Sequence, residues 1–307
     1  MDVADHSRGE GPGEGAPDSI PDSAPDRGHG AVLARVLAGD RPADLRRHRG
    51  QFHDVVVGSR RVVCFARTQA AGARLAGRAA VLRAVAGLGL GVRVPEPLAQ
   101  GGGAAGPEPP HLVLTRVPGA PLDPARLRER AVADAVADQY AALLRRLADA
   151  GAAAARGGLP GTPRDRWHRF AADVRDGLLP LMSAAGRARA ERELAAARGL
   201  PHRESALVHG DLGPENVLWE WSGGLPRLSG VVDWDGAAVG DPAGDLAAVA
   251  AGHGDALLAA VLARVGAPPD TAERVAALRG TFALQQALGA LRDGDAAELA
   301  DGLRGYR

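Results

Sequence analysis

Residues 205–245, SALVHGDLGPENVLWEWSGGLPRLSGVVDWDGAAVGDPAGD, gather more chemistry-bearing side chains than any other stretch of the chain. The apolar run at 206–208 predicts a short buried strand that delivers His209, Gly210 and Asp211 into a loop containing glycine and proline. Asn216 follows Asp211 by five positions, the spacing of a loop in which an aspartate accepts a hydroxyl proton and an asparagine holds a metal ion. Residues 217–221 and 228–232 are β-prone runs separated by SGGLP and predict a hairpin. With its turn near position 224, antiparallel pairing sets Asn216 opposite Asp233. An amide and a carboxylate side by side, with Asp211 nearby, suit Mg²⁺ and phosphate oxygens.

The strings HGDLGPENVL and GVVDWDGAAVGDPAGDLA resemble the signature of the aminoglycoside phosphotransferase family, which shares the protein kinase-like fold with choline and homoserine kinases. A lone HGD is ordinarily a turn and a lone DWD a solvated strand end; their order and spacing carry the resemblance, which spans about residues 45–300. It implies an α+β, two-lobed protein kinase-like fold, with a small antiparallel-sheet lobe over residues 30–117 and a mainly helical lobe over 118–307. It further implies Asp211 as catalytic base, Asn216 and Asp233 as Mg²⁺ ligands, and His209 as the organiser of the catalytic loop. Asp241 and Asp245 would hold the loop and the following helix, and Asp235 is explained equally well by capping or solvation.

Composition narrows the remaining classes. A 307-residue chain with 46% hydrophobic and 24% charged residues can bury one large core or two modest lobes. Its zero net charge gives no electrostatic case for nucleic acid or an anionic membrane. No apolar stretch reaches the length of a membrane span, and the acidic, Pro/Gly-rich start lacks the features of a signal peptide, so a cytoplasmic location is expected. Residues 1–29 hold almost nothing apolar and are expected to be disordered. The single cysteine, Cys64, excludes an internal disulfide and a multi-cysteine metal site. All 37 basic residues counted as Lys+Arg are arginine, so a Walker-type phosphate loop, which needs its lysine, is excluded.

Along the chain, a short helix is expected over 31–37, and Arg46, Arg47 and Arg49 lead into a strand, turn and strand over 50–65. That hairpin resembles the phosphate-covering hairpin of the family, although it lacks G-x-G-x-x-G. Leu75, Ala79, Leu82 and Ala86 share one stripe of a helix over 72–87. A turn over 101–110 precedes a buried strand at 111–117; by resemblance it enters the hinge, where adenine would bond main-chain groups near Thr115 and Val117. Beyond it, Val132, Val136, Tyr140, Leu143 and Leu147 mark one helix and Trp167, Phe170, Val174 and Leu181 another, disturbed near Pro180. Further helices are expected over 255–265 and 270–291, the second opening with Asp270 and Glu273 as a capping box.

The chain departs from the family at one place. Kinase-like enzymes pair a lysine on the third strand with a glutamate on the next helix, and here those positions hold Cys64 and Arg78. Arg67 should point to the opposite face from Cys64, and Arg60 sits at a turn. Arg78 is either a phosphate-binding replacement for the lysine or a solvated helix arginine. The expected activity is transfer of the γ-phosphate of ATP, with GTP open, to a hydroxyl of a small molecule, a chemistry that includes antibiotic resistance. The alternative is a binding or regulatory module impaired by loss of the ion pair. Aminoglycosides, macrolides, peptide antibiotics, sugars and amino alcohols all stay open as acceptors.

Overall fold

The protein is described by a computed structural model covering residues 27–307 except 51, 104, 105 and 107. Its first lobe contains α1 (Arg27–Val36), β1 (Arg46–Arg49), β2 (His53–Val57), β3 (Arg61–Ala66), α2 (Gln69–Ala86), β4 (Pro97–Gly101) and β5 (His111–Thr115). The strands form one antiparallel sheet in the order β1-β2-β3-β5-β4. Alternation along β3 sorts its side chains: Cys64 faces the core that includes Leu75 and Leu82 of α2, while Val63 and Phe65 pack on Val32, Leu33 and Leu37. Thr68 caps α2, its hydroxyl accepting the Ala71 N–H at 3.1 Å.

Several expectations shift here. The first helix begins at Arg27, four residues early, and the rest of the tail expected to be disordered, residues 1–26, lies outside the described residues. Arg46, Arg47 and Arg49 are themselves an edge strand, with Arg46 opposite Val57 and Arg49 opposite Asp54. The sheet therefore has two consecutive turns at opposite ends of β2. The turn at Gly58–Arg60 is held by Asp40, which accepts the Ser59 N–H, and by Arg116, beside the connection between lobes. At the other end of β2, His53 meets Arg78, which reaches the aspartates of the second lobe.

The chain crosses at 116–119 into β6 (Ala120–Pro121), α3 (Arg130–Arg156), α4 (Arg166–Gly177), α5 (Ala184–Arg198), β7 (Ala206–Val208), β8 (Val217–Ser222), β9 (Leu225–Val231) and β10 (Ala238–Gly240). It ends in α6 (Ala243–His253), α7 (Asp255–Val265), α8 (Thr271–Gly280), α9 (Phe282–Asp293) and α10 (Ala296–Gly302). The expected stripe of α3 is buried throughout, from Val132 to Leu147. The helix expected over 270–291 is two, broken at buried Thr281, whose hydroxyl bonds back to the Leu278 carbonyl at 2.6 Å. Asp270 does not form the expected capping box, because its carboxylate is engaged by Arg203 at 2.6 Å. One core runs through both lobes, joining Leu75 and Leu114 to Val136, Tyr140, Leu212 and Trp234. No described helix is long and apolar enough to cross a membrane.

The β8–β9 hairpin turns on Gly223 and Gly224, with φ of 60° and 82°. Two consecutive left-handed residues suit a two-residue turn that matches strand twist, and glycine adopts them without penalty. A bulge shifts the register from Trp219↔Leu228 to Leu218↔Gly230. The turn is centred between Gly223 and Gly224, earlier than the simple register assumed, and the bulge makes up only part of the difference: Asn216 lies opposite Val232, whose N–H reaches the Asn216 carbonyl at 2.9 Å, with Asp233 one residue further on. Replacing both turn glycines with alanine should lower stability by about 1–3 kcal/mol in a urea melt, while asparagine at both should recover most of the loss.

Candidate active site

Strand β7 hands the chain to His209, which is fully buried. Asp245, in the first turn of α6 and also buried, turns its carboxylate back onto this loop. One oxygen accepts the His209 N–H at 2.8 Å and the other the Gly210 N–H at 3.0 Å. Burial pushes the Asp245 carboxyl above its ordinary range, while His209 and the two N–H bonds pull it back. Asp241 begins the same helix by accepting the Ala243 N–H, and its other oxygen is paired with buried Arg274.

The His209 ring joins two segments. Its Nδ1 accepts the Asp211 N–H at 3.2 Å and its Nε2 donates to the Val232 carbonyl at 2.8 Å, with Trp234 packed against it at 4.6 Å between ring centroids. Both nitrogens are engaged, so this histidine orients Asp211 and the end of β9 and does not reach a substrate. Gly210 has φ of 89°, and a Cβ there would sit 2.6 Å from the Gly236 carbonyl oxygen.

Asp211 is exposed, and its Oδ2 accepts the Asn216 amide N–H at 3.1 Å. The same amide nitrogen donates to the Asp211 main-chain carbonyl at 2.9 Å, leaving the Asn216 Oδ1 as the free acceptor end. Asp233 has φ 64° and ψ 57°, the single positive φ outside glycine among the described residues. Such a residue carries about 1–2 kcal/mol of backbone strain. It is held by the next residue: Trp234 is fully buried and its indole N–H bonds the Val231 carbonyl at 2.9 Å.

Arg78 is no solvated helix residue; its side chain is 14% exposed and reaches from α2 to the second lobe. Its Nε lies 2.7 Å from Asp235 Oδ1, its Nη2 3.4 Å from Asp233 Oδ1, and its Nη1 3.2 Å from His53 Nδ1. Burial and the adjacent guanidinium lower the His53 pKa to about 4, so the ring is neutral at pH 7 and its Nδ1 accepts from Arg78. Cys64 lies behind this cluster, its thiol pushed up to about 11 by burial. Arg67 is turned to the other side, donating to the Gly50 carbonyl, as alternation along the strand required. Neither His53 nor the ion pair of Asp235 carried a local signal in the sequence, because both depend on which strand end meets which loop.

At the hinge, the Thr115 N–H bonds the Glu96 carbonyl at 2.9 Å, so Thr115 can offer a base only its carbonyl. Val117 keeps its main-chain N–H without a partner among the described residues.

Two cavities flank these groups. One, of about 540 Å³, is lined by Phe52, His53, Arg74, Arg78 and Asp235. Within this cluster the His53 Nε2 is buried without an acceptor among the described residues, a setting that fits an anionic ligand such as a phosphate. The other, of about 300 Å³, lies in the helical lobe and is lined by Asp211 together with Trp167, Arg164, Arg166 and Arg198. No group of three His, Cys, Asp or Glu side chains among the described residues makes a metal site by itself. One amide oxygen and one carboxylate nonetheless fit Mg²⁺, which habitually takes one or two protein oxygens and completes its shell with phosphate and water.

A loop that sets an exposed aspartate at a donor-lined cavity, with a second cavity beside Arg78 and Asp235, on a two-lobed frame, fits the kinase-like class of phosphotransferases. Similar solved structures share that frame: the GDP and kanamycin complex of APH(2")-IIia, with TM-score 0.77 at 20% identity over 90% of this chain and 96% of that one, and a macrolide 2'-phosphotransferase type I, with TM-score 0.68 at 22% identity over 92% and 97%. At these identities the likeness is one of fold. Viomycin phosphotransferase of Streptomyces vinaceus is 60% identical over 281 residues, 91% of this chain and 98% of that protein. The model of the phosphotransferase enzyme family matches residues 44–279, and the chain belongs to that family. It is a small-molecule phosphotransferase.

Asp245→Ala strands the buried His209 N–H and removes the partner of the Gly210 N–H, and the expected cost is about 2–4 kcal/mol, read from the urea midpoint at constant slope. Asp241→Ala leaves buried Arg274 without its carboxylate and should show a comparable loss.

Proposed function

We propose that the chain transfers the γ-phosphate of ATP or GTP to a hydroxyl of viomycin or an acceptor of that class. The carrying observation is the place of Asp211: the residue lines the helical-lobe cavity, and its carboxylate is held by Asn216. In this reading Asp211 accepts the acceptor hydroxyl proton as the oxygen attacks the γ-phosphorus in line, and Asn216 fixes the carboxylate for that step. Asn216 Oδ1 and Asp233 would hold Mg²⁺, which when bound neutralises phosphate charge. Arg78 and the His53 Nε2–H would meet phosphate oxygens, and the Thr115 carbonyl and Val117 N–H would meet the base.

The acceptor assignment is supported by the 60% identity to viomycin phosphotransferase over nearly its whole length. Arg164, Arg166 and Arg198 line the cavity with fork-shaped donors suited to acceptor carbonyls. The test is a phosphorylation assay with viomycin and kanamycin on wild type and Asp211→Asn. Wild type is expected to phosphorylate viomycin with the higher kcat/KM. The variant is expected to lose about 10²–10⁴-fold in kcat while its nucleotide Kd stays within about threefold. Retained turnover in the variant would refute the role of Asp211, and preference for kanamycin would refute the acceptor.

A further inference from the structure

Strand β3 supplies no cation to the phosphate region, since Cys64 is a buried neutral thiol, and the nearby guanidinium comes instead from the middle of α2. Arg78 stands between two carboxylates and is closer to Asp235, at 2.7 Å, than to Asp233, at 3.4 Å. Asp235 belongs to a short turn, Trp234–Gly236, whose first residue is anchored in the core by its indole hydrogen bond, so this carboxylate has a fixed direction. The Asp235 contact falls at Nε, without the alignment of a hydrogen bond, and leaves the terminal nitrogens to His53 and to the space beside Asp233.

We infer that Arg78 and Asp235 form an inverted counterpart of the strand-lysine and helix-glutamate pair, with the cation on the helix and the carboxylate on the loop after β9, and that Asp235 is a positioning residue for nucleotide phosphates. The division of labour follows from the two distances. With Asp235 balancing the guanidinium, Asp233 keeps an oxygen available for a metal and Arg78 keeps its fork available for phosphate. Without Asp235, the guanidinium falls onto Asp233 and competes with the metal for it. Asp235 touches neither nucleotide nor acceptor in this scheme, and it acts through Arg78. The inference rests on the nucleotide site proposed above.

The test is calorimetric titration of the full chain with ATP and with GTP at several Mg²⁺ concentrations, which needs no acceptor. Asp235→Asn is expected to weaken Mg-nucleotide binding about tenfold and to raise the Mg²⁺ concentration required, with Asp235→Glu recovering most of the affinity. In the phosphorylation assay the KM for nucleotide should rise while the KM for acceptor stays put. Arg78→Gln should show a similar loss, and the double variant should bind no worse than Arg78→Gln alone. Asp235 is partly exposed, so the Asn and Glu variants should melt within about 3 °C of wild type. Equal binding by wild type and Asp235→Asn, or two losses that multiply in the double variant, would overturn the inference alone. A wild type that binds neither Mg-nucleotide would overturn the nucleotide site itself.

Discussion

The buried carboxylate of Asp245 is the constraint on which the rest of the site depends. A charge removed from water is tolerated only where it is well bonded, and here each oxygen takes one main-chain N–H of the catalytic loop. Because Asp245 sits in the first turn of α6, the bond also fixes helix to loop, and the N-terminal end of a helix favours a negative charge. His209 extends the tie: its ring is braced from Asp211 on one side to Val232 on the other. A single polar network thus sets Asp211 and the end of the β8–β9 hairpin relative to one another. The hydrophobic core contributes the floor, with Leu212 and Trp234 fully buried on either side of the loop.

The chemistry that a kinase-like frame ordinarily assigns to lysine is redistributed. A lysine at position 64 would bring a compact ammonium from the strand; Arg78 brings a planar fork from the helix, and its longer reach spans the gap to Asp233 and Asp235. The neutral His53 ring completes its surroundings without adding charge. The pairing removes the main ground for reading the chain as an impaired binding module, because a cation stands beside Asp233 and Asp235 despite the absence of lysine. Family membership and the identity to viomycin phosphotransferase point the same way.

Much of this was legible in residue order. The HGD and DWD strings, their spacing and the intervening hairpin locate Asp211, Asn216 and Asp233, since strand, turn and loop signals are local. The stripe of α3 and the facing of Cys64 follow from periodicity alone. What the sequence withheld depends on three dimensions. The exact centre of the β8–β9 turn and the bulge beyond it together put Asn216 opposite Val232 and not Asp233, and no propensity announces either. The break at Thr281 comes from a hydroxyl bonding backwards inside an otherwise helical run. Asp235 reads as a solvated strand end until the lobe carrying Arg78 is laid against it, and Asp270 reads as a cap until Arg203 is seen to hold it.

The central claim is that Asp233 and Asn216 form a metal-dependent nucleotide site. The most direct measurement is nucleotide affinity with and without Mg²⁺ on wild type and Asp233→Asn, a change that keeps a residue tolerant of the left-handed backbone found there. Wild type should bind at least about tenfold more tightly with Mg²⁺, and the variant should lose that gain. Affinity indifferent to Mg²⁺ in wild type, or a Mg²⁺ gain undiminished in Asp233→Asn, would contradict the account.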